Sequence, residues 1–179
     1  MKKILTILFH LIFCLPFLLF LGLAAYENQQ FIGKEIFIIT IAILIVLGIG
    51  QPKFYQSNFE VDQLYTIPTV LLGTIVTYSL QYFLDLNPIL SASIVGLCGA
   101  FADKKLSKVI SVPLYCGAFV GMTNPENHFT FPLIFTFGLI AGIVYYLSKN
   151  FYTGVGGKLG TIAFVAVISV VIIYKYFIR

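Results

Sequence analysis

The arrangement of the charges constrains this chain more than any other feature. Only 11 Lys and Arg and seven Asp and Glu occur among 179 residues. They sit in short clusters between long apolar runs, and residues 4–26, 65–84 and 129–147 carry no such charge. A bilayer core of about 30 Å asks for roughly 20 apolar residues per helix. A soluble domain carries about 25% charged residues, whereas this chain has 10%, with 59% hydrophobic residues and a mean hydropathy of +0.98. There is too little polar surface to cover a particle in water. Backbone groups in lipid must be satisfied within each segment, so the continuous apolar runs read as helices.

The expected fold is therefore all-α: a polytopic transmembrane helical bundle forming a single integral membrane domain over 1–179. Seven spans fit best, at about 4–26, 31–50, 65–84, 88–102, 107–122, 129–147 and 159–177. Lys2 and Lys3 ahead of an apolar stretch, with Gly22-Leu23-Ala24 after it, also resemble a signal peptide. The apolar region is longer than the usual 7–15 residues, so a retained first helix is the favoured reading, and six spans remain if it is cleaved.

Orientation follows from the Lys and Arg at alternate ends of the spans. With the N-terminus in the cytoplasm, the inside set is Lys2, Lys3, Lys53, Lys104, Lys105, Lys108, Lys149 and Lys158, and the outside set is Lys34, Lys175 and Arg179. A single Arg among many Lys, with abundant Ile and Phe and no Trp, is the usage of an AT-rich bacterial genome. The expected location is a bacterial inner membrane. Because the Lys residues are spread over the loops as topology requires, the net charge of +4 is no sign of nucleic acid. Cys14, Cys98 and Cys116 fall inside apolar runs without a CxxC spacing, which argues against a structural disulfide or zinc site.

Polar residues at membrane depth concentrate in spans three to five. Thr74, Tyr78, Gln81 and Asp85 follow at steps of four, three and four and share one helical face, with Thr77 beside them. A Gln and several hydroxyls facing lipid would be costly, so this face should point into the bundle. It reads either as the wall of a polar pathway with Asp85 at its outer mouth or as interhelical hydrogen bonding. Lys108, Ser111 and Tyr115 share a face of span five, and Ser91 and Ser93 add hydroxyls in span four. The turn Asp103-Lys104-Lys105 between these spans should reach water. Pro113 falls at the middle of span five, where it should kink the helix and free a carbonyl near Val109 or Ile110. Asn87-Pro88 reads as a helix N-cap followed by the first helical residue.

The stretch Gly154-Val155-Gly156-Gly157-Lys158-Leu159-Gly160-Thr161 superficially looks like a phosphate loop. A Walker A motif needs Ser or Thr directly after the Lys, and Leu159 stands there. What remains is a helix N-terminus with glycines and one Lys, a candidate anion site at Gly156, Gly157 and Lys158. The pairs Gly117/Gly121, Gly138/Gly142 and Gly156/Gly160 should let spans five, six and seven pack closely on one another.

Catalysis has little to stand on. His10 and His128 are isolated, and neither HExxH nor GxSxG occurs. No catalytic residue, metal or cofactor is expected. The working expectation is a small inner-membrane permease or channel-like protein for a small polar or anionic solute, its path lined by Thr74, Tyr78, Gln81, Asp85, Ser91, Ser111 and Tyr115. The alternative is a non-transporting scaffold or accessory subunit of a larger membrane complex, and a lipid-modifying enzyme is a weaker third. At this length a homo-oligomer or a membrane partner subunit fits either of the first two.

Overall fold

The computed structural model describes residues 60–106, 109–123, 129–150 and 157–174, together with Leu15, Leu19, Gly22, Ile39, Thr40 and Ile43. Its contacts divide the chain into two units, Met1–Phe59 and Glu60–Arg179. In the first unit, Leu15, Leu19, Ile39, Thr40 and Ile43 are helical, as is Gly22, and the rest of spans one and two lies outside the described residues.

The second unit is all-α among the described residues: α1 (Thr66–Leu84), α2 (Pro88–Leu106), α3 (Ser111–Gly121), α4 (Phe131–Leu147) and α5 (Lys158–Ile173). By length and composition, one of them, Thr66–Leu84, is clearly able to cross a membrane. Ser111–Gly121, Phe131–Leu147 and Lys158–Ile173 are shorter apolar helices. α1 lies at the centre. It packs most extensively on α3 and α4 and also on α2, while α3 additionally meets α2, α4 and α5, and α5 closes against α4.

Local chemistry sets the helix ends. α1 opens with Thr66 and Thr69 hydroxyls donating to the Gln63 and Tyr65 carbonyls at 2.8 and 2.7 Å. It closes at Asp85, whose φ of 48° is left-handed; Asp tolerates this conformation better than most side chains. Asn87 then accepts the Ile89 N–H on its side-chain oxygen at 2.9 Å, with Pro88 as the first helical residue, the cap expected from the sequence.

The α2–α3 junction differs from the expectation. α2 continues to Leu106, so Asp103, Lys104 and Lys105 belong to its last two turns rather than to a turn between helices. Lysines there complement the partial negative charge of the helix end. α3 is correspondingly short, with 11 residues, about 16 Å at 1.5 Å per residue. Pro113 is its third residue rather than its middle one. A first-turn N–H has no intrahelical partner in any case, so this proline removes no ladder bond, and the expected kink does not arise. The Ile110 carbonyl is not freed either, since it accepts the Leu114 N–H at 3.1 Å.

The glycines also meet other partners than expected. A Cβ added at Gly117 would press into the Val70 carbonyl, and one at Gly73 into the Leu114 carbonyl. Gly121 faces Thr74 and Thr77, while Gly138 and Gly142 face Leu71, Thr74 and Ile67. The Gly117/Gly121 and Gly138/Gly142 faces thus seat α3 and α4 on α1, not on each other. Gly160 has open space, and Gly156 lies outside the described residues.

Candidate functional site

Three of the four residues in the α1 stripe are buried: Thr74 is 0% exposed, Tyr78 1% and Gln81 4%. Asp85, at the helix end, is exposed. Each buried side chain reaches a backbone carbonyl of a neighbouring helix or its entry. The Thr74 hydroxyl donates to Gly117 O at 3.1 Å, and also to Val70 O in its own helix. The Tyr78 hydroxyl donates to Phe129 O at 2.8 Å. The Gln81 amide nitrogen donates to Gly121 O at 2.5 Å and to Thr77 O at 3.2 Å. This face therefore bonds α1 to α3 and to the start of α4. Around Tyr78, the rings of Tyr82 and Phe131 complete an aromatic cluster, with Phe131 edge-on to both at 5.4 Å.

A second locus is a groove of about 370 Å³ between α2, α3 and the start of α5. Its walls are Ser93, Gly96 and Leu97 from α2, Ser111, Val112 and Tyr115 from α3, and Leu159 from α5. Ser111 and Tyr115 lie four residues apart and so share a face, which is why the spacing in the sequence could single them out. The Tyr115 ring lies over Gly96, where a Cβ would come within 3.0 Å of it, and packs on Phe119 with centroids 4.7 Å apart. Ser91 is fully buried, donates to Asn87 O and does not line the groove. Lys108 lies outside the described residues.

Asp103 is the functional-looking residue that the sequence reading missed. Its Oδ1 accepts the Ile110 N–H at 2.5 Å and the Ser111 N–H at 2.9 Å, and its Oδ2 accepts the Ser111 hydroxyl. A carboxylate thus caps α3 from the preceding helix, satisfying N–H groups that its own N-cap residue leaves open. The hydrogen bond from the Ser111 side chain, followed by those from the two backbone N–H groups, holds the Asp103 carboxyl below its usual range against the opposing effect of desolvation. A lone acid in a run of lysines was the available signal, but its target lies seven and eight residues on.

Of the candidate anion site, Gly157 and Lys158 are described residues and Gly156 is not. Gly157 caps α5 with a φ of 88° and is exposed. The Lys158 ammonium donates to the carbonyls of Ser148 and Lys149 at 2.6 and 2.9 Å. It is committed to the carbonyl end of α4, where a cation is favoured. Among the described residues, no group of His, Cys, Asp and Glu is placed to hold a metal ion.

No protein-family model matches the chain, and neither a curated protein nor a solved structure matches it.

Proposed function

We propose that the chain is a small polytopic inner-membrane protein of about seven spans, N-terminus in the cytoplasm, which binds a small polar solute in the α2–α3–α5 groove and acts as a permease or channel-like protein. The membrane reading draws support from large apolar side chains left on the outside of the helices, among them Leu72, Phe83, Ile89, Leu97, Phe101 and Phe135; such a surface asks for lipid. The bond from Asp62 N–H to Tyr146 O and those from Lys158 to Ser148 and Lys149 bring the start of α1, the end of α4 and the start of α5 to one end. That is the alternation the lysine count requires.

The observation that carries the solute reading is that Ser93, Ser111 and Tyr115 line one groove with otherwise apolar walls; the hydroxyl protons of Ser93 and Ser111 go to Ile89 O and Asp103, so these two oxygens can only accept from a solute. A few polar groups placed in an apolar concavity are the usual make-up of a small-molecule site. Asp103 behind Ser111, and the commitment of Lys158 to carbonyls, favour a neutral or cationic solute over an anion.

The second reading, a scaffold or accessory subunit that assembles with a copy of itself or another membrane protein, is favoured by a different observation. Thr74, Tyr78 and Gln81 of α1 bond to backbone carbonyls of α3 and of the entry to α4, as a purely architectural protein requires. A thermal-shift screen in lipid nanodiscs separates the two. A solute at 100 times its dissociation constant stabilises the fold by about 2.7 kcal/mol. The permease reading expects a hit that disappears in Tyr115→Phe and Ser93→Ala while their unliganded midpoints stay put. Silence across polar metabolites and ions, with copies or partners co-purifying, transfers the conclusion to the scaffold.

A further inference from the structure

The buried face of α1 holds two oxygens that have no hydrogen-bond partner among the described residues, Thr77 Oγ1 and Gln81 Oε1. They stand one helical turn apart on the same face, and their residues are 0% and 4% exposed. The orientation of the glutamine is set by its nitrogen, which donates to two carbonyls; turning the amide over would place its oxygen against both. Thr77 departs from its neighbours as well. The hydroxyls of Thr69, Thr74, Ser91 and Ser93 each donate to the carbonyl one turn back, and that of Thr77 does not.

Both residues lie against the C-terminal end of α3. A Cβ at Gly121 would fall 2.7 Å from the Thr77 Cβ, and the Gly121 carbonyl is the one that Gln81 holds. There α3 stops after 11 residues, and the last carbonyls of a helix carry its partial negative charge. One turn beyond Gln81, the exposed Asp85 adds a carboxylate at the end of α1.

We propose that Thr77 Oγ1 and Gln81 Oε1, together with carbonyl oxygens at the end of α3, bind a small monovalent cation, sodium foremost. The ligand set is made of uncharged hard oxygens at a helix C-terminus, the combination that broken membrane helices present to alkali cations. A divalent ion would call for carboxylates in direct contact, and Asp85 stands outside as an attractor. The site is separate from the groove. It adds an ion to the permease reading, but its test requires no transport.

Thermal unfolding of the full chain in nanodiscs is measured in sodium, potassium and choline chloride at one ionic strength. Sodium should give a saturable rise in the midpoint that choline does not. Thr77→Val should abolish the rise and leave the midpoint in choline unchanged or higher, because the hydroxyl has no partner to lose. Thr77→Ser, which keeps the hydroxyl oxygen, should retain the sodium response. Equal midpoints in the three salts would overturn the site, as would an undiminished sodium response in Thr77→Val. Loss of solute binding at the groove with the sodium response intact would count against the groove alone.

Discussion

Gly117→Ala is the substitution on which the packing argument can be tried most directly. The added methyl would press into the Val70 carbonyl oxygen, with the Val70 carbonyl carbon at 2.8 Å and the Thr74 nitrogen at 2.9 Å. All three are backbone atoms of α1, so no rotamer change relieves the overlap and the two helices must move apart. Overpacking of this kind costs about 1–3 kcal/mol. Separation also stretches the bond from Thr74 to the Gly117 carbonyl, worth about 0.6 kcal/mol between helices in an apolar medium. Alanine returns about 1 kcal/mol through its better helix propensity. The net expectation is a loss of about 0.5–2.5 kcal/mol, read as a lowered midpoint in reversible unfolding by sodium dodecyl sulfate titration in mixed micelles. Gly160→Ala is the matched control, since nothing lies within 4 Å of its new methyl; it should be neutral or stabilising by up to about 1 kcal/mol. If Gly117→Ala unfolds at the wild-type midpoint, the close α1–α3 approach is not what holds the bundle.

Two further outcomes follow from the helix ends. The Asp103 carboxyl is held below its usual value of 3.8 by bonds from Ser111 and Ile110, so its contribution is complete above about pH 4 and is lost as the pH falls through the lowered folded value. Asp103→Asn should flatten that acid limb in a pH series of unfolding midpoints, and an unchanged acid limb would remove Asp103 from the account. Lys158→Gln withdraws a charged donor from the Ser148 and Lys149 carbonyls. At a half-buried position this should cost about 1 kcal/mol and raise amide exchange in the last turn of α4; no change there would mean that the contact is incidental.

Much of the α1 face was legible because the chemistry is local. Thr74, Tyr78 and Gln81 repeat with the helical period inside a run that is otherwise apolar, and polar groups in such a run have to turn inward. Asn87-Pro88 was legible for the same reason, since a cap is made with residues two positions on. What escaped depends on distance along the chain. Asp103 caps a helix that starts eight residues later, so its role depends on a reversal of direction that no local pattern encodes. Without that cap, Pro113 reads as an interruption; with it, α3 starts later and the proline becomes an ordinary first-turn residue. The glycine pairs announce close approach but not the partner, and the partner of Gly117/Gly121 and of Gly138/Gly142 is α1.

The polar side chains of α1 bond to main-chain oxygens rather than to side chains: Thr74 to Gly117 O, Tyr78 to Phe129 O and Gln81 to Gly121 O. Every amino acid supplies that oxygen, so these contacts impose no matching identity on the residue that accepts. Among diverged copies of this chain, the two sides of such a bond should change independently, constrained on the accepting side only by size. A search for paired substitutions would pass over these helix contacts, whereas a search for one threonine–tyrosine–glutamine face opposite small residues would find them.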